Sequence, residues 1–193
     1  MSEILTPIQI AKEAKSAYLA GDYCAADRSF EAARQGYLSA NNPLMAAEMA
    51  NNCCVALLLA GENQAALAVL EGIEDIFIKA GDRIRQAMTL GNKGTALEAL
   101  NFLEEAELTY WKASEIFKEL GETELRLPLL QSISLIQLRT GRQLQAVTSM
   151  YAGVDNIEKP TLKQRFLKRL LGIPFQLVNN ISKEPTDGTN SNP

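Results

Sequence analysis

Four copies of one pattern, forty residues apart, constrain this chain more than any other feature of its sequence. Shifted onto itself by forty, the sequence aligns Gly21, Gly61, Asn101 and Gly141, and with them Ala26, Ala66, Ala106 and Ala146. Four residues further on come Phe30, Leu70, Tyr110 and Met150, all large and apolar, and three beyond those lie Ala33, Ile73, Ala113 and Gly153. Upstream, Ala14, Cys54, Gly94 and Ser134 are all small. Asn41, Gly81 and Gly121 mark the gaps between copies, followed by Thr161 just after Pro160. Several columns agreeing through four units without an insertion make a repeat the only sensible reading.

The spacing has a mechanical meaning. Alanine, a large apolar residue at i+4 and a small one at i+7 lie on one face of an α-helix. The segment before each Gly column is helical too, with a small residue seven before that Gly and Ala17, Leu57 or Leu97 three after it. Each unit is therefore two antiparallel helices joined by a tight turn around Gly-Asp, Gly-Glu, Asn-Phe or Gly-Arg. Gly there supplies the left-handed backbone that ends a helix. The small residues let paired helices approach, and neighbouring pairs must stack because no pair buries its own apolar face. The expected fold is all-α: a right-handed superhelix of four helix pairs over about 7–40, 41–80, 81–120 and 121–160. Pro128 falls inside the first helix of the fourth pair, so a boundary or kink is expected within a few residues of it.

These columns resemble the tetratricopeptide repeat family, whose signature runs Trp-x2-Leu-Gly-x2-Tyr, then Ala-x3-Phe, then Pro. The third unit matches best, with Leu90-x2-Lys93-Gly94-x2-Leu97, then Ala106-x3-Tyr110 and Ala113. The first gives Ala26-x3-Phe30 with Ala33, and the fourth ends at Pro160. The signature Trp is replaced throughout. The period of forty resembles the longer-helix variant of kinesin light chains and related bacterial repeats. The resemblance covers about residues 7–160 and implies a non-enzymatic scaffold for protein–protein interaction, with the first helix of each pair lining a concave groove for a peptide or helix.

Composition narrows the alternatives. The 193 residues are 47% apolar and 22% charged, which fits a globular chain rather than a disordered one. A net charge of −4 argues against nucleic acid, which needs a clustered basic face. No apolar run approaches the roughly 18 residues that span a bilayer, so stable membrane insertion is not expected. The start, MSEILTPIQIAKEAK, lacks the features of a secretory signal. The three cysteines, Cys24, Cys53 and Cys54, make no disulfide framework. The expected location is the cytoplasm.

After Pro160 the texture changes. Thr161 can cap a helix through Leu162, Phe166, Leu167, Leu170 and Leu171, with Lys163, Arg165, Lys168 and Arg169 opposite. This basic amphipathic helix, followed by the short apolar stretch Phe175–Ile181 (together 161–181), is expected to cap the open end of the array, with a helix lying on a membrane surface as the alternative. From Ser182 to Pro193 the chain is polar and expected to be a disordered tail.

Chemistry is scarce. There is no histidine, which removes the commonest general base and zinc ligand. Cys53-Cys54 suggests a redox or metal pair, yet Cys54 belongs to the small-residue column and packing explains it. Gly91-Asn92-Lys93-Gly94 lacks the context of a phosphate loop. Glu104-Glu105 and Glu122/Glu124 sit near helix starts, where carboxylates favour the dipole. No catalytic residue, metal or cofactor is expected.

What remains is a surface. The forty-residue variant of the family often carries an Asn two residues before the small column, and the resemblance places Asn52 and Asn92 there. Lys12 and Ser132 stand at that place in the first and fourth units. An amide donates and accepts, which suits a peptide backbone. Around them Lys15, Asn51, Thr95, Gln131 and Arg139 are expected to share the groove. The family's carboxylate clamp, built from several Lys and Arg, is not reproduced. A second possibility is a homodimer or self-filled groove, for which Val55, Leu58, Leu59, Leu135 and Leu138 would supply a greasy surface, with Phe175–Val178 as the internal ligand.

Overall fold

A computed structural model of the protein describes residues 5–155 and residue 165, and among the described residues every regular element is a helix. In chain order these are α1 (Pro7–Leu19), α2 (Tyr23–Ser39), α3 (Pro43–Ala60), α4 (Asn63–Ala68), α5 (Ile73–Ala80), α6 (Arg83–Ala99), α7 (Leu103–Glu119), α8 (Thr123–Arg139) and α9 (Gln143–Asp155).

The connections set the architecture. Gly21, Asn41, Gly61, Gly81, Asn101, Gly121 and Gly141 all have left-handed backbone, with φ between 53° and 83°. They fall at a strict spacing of twenty, half the period of the side-chain pattern. At each, two backbone bonds close the helix just ended; at the first, Gly21 N–H donates to Tyr18 O and Asp22 N–H to Ala17 O, both at 3.0 Å. This Schellman closure satisfies carbonyls that would otherwise lack a donor. The next residue then starts the following helix. Asp22, Asn42 and Asp82 accept at their side chains from the backbone N–H of Ala25, Met45 and Arg85. Connections this short fold each helix back on its predecessor.

The columns of the repeat become the core. Ala26, Ala66, Ala106 and Ala146 are at most 1% exposed. Ala14, Cys54, Gly94 and Ser134 are buried as well, under Phe30, Leu70 and Tyr110 among others. One cluster joins α1, α2 and α3 through Phe30, Tyr37, Met49 and Cys53. Another joins α6, α7 and α8 through Leu90, Tyr110, Phe117, Leu130 and Ile133. Between them lie two smaller clusters around α3, α4, α5 and Ala96 in the last turn of α6.

Three expectations are corrected. The second unit does not have a continuous second helix: α4 ends at Ala68, and α5 starts only after Gly72, whose φ of +72° no right-handed helix can continue. Tight turns bridge the gap, with Leu70 N–H donating to Leu67 O and Ile73 N–H to Leu70 O. Of the boundary or kink expected near Pro128, the boundary is absent at the proline itself, since α8 starts at Thr123 and runs through Pro128 to Arg139. Pro128 and Glu124 are both exposed, and the proline, having no N–H, cannot supply the Glu124 carbonyl with its usual helical donor. Finally, α3 as a whole is long and apolar enough to cross a membrane by length and composition, with a mean hydropathy of 1.4. It is interrupted by Glu48, Asn51 and Asn52, and it packs against α2, α4, α5 and α6. The expected cap at 161–181 and the tail at 182–193 lie outside the described residues, apart from residue 165, which is helical and exposed.

Candidate functional site

The forty-residue period carries Ile8, Lys12 and Lys15 of α1 onto Glu48, Asn52 and Val55 of α3. Between these helices the structure opens a cleft of about 590 Å³. Its floor comes from α2, through Phe30 and Tyr37, and its walls include Tyr18, Met45 and Met49. Small residues at Ala14 and Ala26 hold α1 close to α2.

The lining is apolar with a few polar groups at one level. Lys12 and Lys15 are exposed and Asn52 is half-buried. Among the described residues none of these three side chains has a hydrogen-bond or ion-pair partner. Glu48, by contrast, is engaged: its Oε2 stands 2.9 Å from Nη2 of Arg85 on α6. Arg85 Nη1 also donates to Asp82 Oδ2 at 2.7 Å, and its backbone N–H to Asp82 Oδ1 at 3.0 Å. Those two bonds, the backbone one first, hold the Asp82 carboxyl below the usual carboxylate range.

The other candidates are scattered along the helices. Asn51 does not share the cleft with Asn52. It is 7% exposed and turned into the α3–α6 interface, where Nδ2 donates to Thr89 Oγ1 at 2.9 Å. Thr89 donates in turn to the Arg85 carbonyl. Successive residues point about 100° apart around a helix, so only one of two adjacent Asn can face the opening. Asn92 is half-buried and donates to Asn51 Oδ1 at a long 3.5 Å, so the two equivalent amides, Asn52 and Asn92, have different surroundings. Thr95 is exposed, donates to Gly91 O and accepts from the Tyr110 hydroxyl. Gln131 is exposed on α8. Arg139 reaches back one unit to Glu98 Oε1 at 3.4 Å and Asn101 Oδ1 at 3.2 Å.

The sequence pointed to Lys15 and Asn52 of this cleft and missed its aromatic and methionine lining. Tyr18, Tyr37, Met45 and Met49 come from three helices, and Tyr37 belongs to the second helix of its pair, where no groove residue was sought.

Two further clefts exist. One of about 580 Å³ lies where α4 gives way to α5 against α6, lined by Leu67, Leu70, Glu71, Asp75 and Lys93 among others. One of about 480 Å³ lies between α7, α8 and α9, beside the buried Glu107–Gln137–Ser149 chain. The two buried thiols are poor nucleophiles: burial raises both Cys53 and Cys54, the latter to about 12. Among the described residues no three metal-ligating side chains gather at one point. No family profile matches the sequence, and no curated protein is significantly similar to it.

Proposed function

We propose that this protein is a non-enzymatic scaffold of the tetratricopeptide type, whose helix pairs stack as a right-handed superhelix and hold a peptide or helix of another protein. The twenty-residue rhythm of its turns and its buried small-residue columns support the first half of that reading. The observation that carries the second half is the α1–α3 cleft: an open apolar trough in which Lys12, Lys15 and Asn52 present donors that no other described residue takes up. Its volume is in the range of sites that take a few side chains of a ligand. Neighbouring first helices stand roughly 10 Å apart, about three residues of extended chain. Asn92, Thr95, Gln131 and Arg139 would continue the contact along α6 and α8.

The experiment is affinity capture from the native host, followed by calorimetric titration of the captured partner's binding segment. Lys15→Glu and Asn52→Ala should each weaken that binding while leaving the melting temperature near normal. Unchanged affinity in both variants would remove the cleft from consideration.

Self-association is the second reading, favoured by Leu59, Leu135 and Leu138, each about half exposed on first helices. A stable dimer in light scattering at micromolar concentration would support it, and a monomer would leave the groove to a partner.

A further inference from the structure

The chemistry of the partner segment can be read from one ion pair between units, on the premise that the α1–α3 cleft is the binding site. Glu48 is the carboxylate among the residues lining that cleft, which also carries Lys12 and Lys15. Exposed carboxylates and ammonium groups lining one cleft ordinarily find each other. Here Glu48 pairs with Arg85 of the neighbouring unit at 2.9 Å, and among the described residues neither lysine is in an ion pair. Arg85 is held in place from behind by Asp82, the residue that caps α6. A planar guanidinium with five donors in a rigid fork serves two carboxylates at once in a fixed geometry. Among the described residues, then, the acid of the cleft is occupied and its bases are free.

We infer that the cleft selects a partner segment bearing a carboxylate side chain beside a bulky apolar one, and that Arg85 sets this preference by holding Glu48 away from Lys12 and Lys15. The apolar side chain lies on Met45, Met49 and Tyr37, whose soft and flat surfaces adapt to several shapes. The carboxylate meets two ammonium groups that need no partner removed first. A basic segment would instead face two like charges at short range. Arg85 does not touch the ligand; it is a positioning residue.

The test uses two dye-labelled probes with blocked ends, Gly-Glu-Leu-Met-Glu-Gly and Gly-Lys-Leu-Met-Lys-Gly, titrated with the full chain by fluorescence anisotropy. At about 50 mM salt, where screening is modest, the acidic probe should bind roughly tenfold more tightly than the basic one. Arg85→Ala frees Glu48 to turn on the lysines and should reduce the preference to roughly threefold or less. In a Glu48→Gln background the same Arg85→Ala change should leave the preference untouched, because no carboxylate remains to be released. A merely structural role for Arg85 would weaken both probes alike in either background. Lys15→Glu, made on the exposed face, should reverse the preference without affecting the melt. A preference that survives Arg85→Ala, or falls equally with Glu48 already neutral, overturns the role of Arg85. Failure of Lys15→Glu to alter it overturns the acidic selection. Binding of neither probe to the unaltered protein overturns the cleft reading, and this inference with it.

Discussion

Gly94 and Tyr110 occupy one volume between them: a β-carbon on Gly94 would stand 2.6 Å from both Cδ1 and Cε1 of the Tyr110 ring. The ring lies across the backbone of α6, and its hydroxyl reaches Thr95 Oγ1 at 3.2 Å and Glu98 Oε2 at 3.1 Å. The same columns pair Ala14 with Phe30 and Cys54 with Leu70, so the smallest residue faces the largest aromatic.

Two effects oppose each other in Gly94→Ala. Alanine gains up to about 1 kcal/mol of helix propensity over glycine. Overpacking a ring that is bonded at its far end costs about 1–3 kcal/mol, and at 2.6 Å the overlap wins. The variant is expected to unfold at lower urea, and adding Tyr110→Leu should recover much of the loss. A stabilised Gly94→Ala would show that the ring moves freely.

Ala106 is fully buried on the α7 face of the same unit. Ala106→Leu should destabilise by about 1–3 kcal/mol, whereas the exposed Glu105→Gln should stay within about 0.5 kcal/mol. Equal melting temperatures for the two would place the repeat register one residue away.

Adjacent asparagines should separate structure from binding. Asn51→Ala removes the donor to Thr89 in a closed interface and should lower stability by about 1–3 kcal/mol. Asn52→Ala should leave the melt nearly unchanged and weaken partner binding by a similar amount. Paired thermal melts and calorimetric titrations would decide, and the reverse pattern would exchange the two roles.

Asp82 gives the protein a pH signature. Its carboxyl is depressed in the folded state, chiefly by the Arg85 backbone N–H and then by its guanidinium. The unfolded chain therefore takes up that proton first. The stabilisation is fully present above the ordinary carboxylate value and is lost as pH falls through the lower folded one. The gap between wild type and Asp82→Ala, about 0.5–2 kcal/mol near neutrality, should narrow towards zero in urea melts approaching pH 2. A gap independent of pH would mean that the cap acts without its charge.

Much of the fold was legible because the pattern is periodic. Ala26, Phe30 and Ala33 repeat at helical spacing, and burial follows those columns almost residue for residue. What periodicity hides is the exception. Gly72 shares its column with Ala32, Lys112 and Ala152, and averaging over four copies erased its left-handed backbone and with it the α4–α5 break. The site was legible only in part for a different reason. Position along the repeat identifies a helix face, but Asn51 and Asn52 straddle the edge of one, and α6 decides which of them is covered. The pairing of Glu48 with Arg85 spans 37 positions in an otherwise unremarkable charge pattern, and no spacing rule announces it.

Proteases need their substrates extended over several residues. The seven left-handed connections offer no such stretch, since each left-handed residue and its successor are bonded back into the helix just completed. Between residues 5 and 155 nicking must wait for local melting, and the first place to melt there is set by the weakest helix rather than the most exposed turn. That place is α4–α5, six and eight residues long, neither with a side-chain cap. Within residues 5–155, a digest stopped early should cut first near residue 72, in place of the ladder that seven surface connections would suggest.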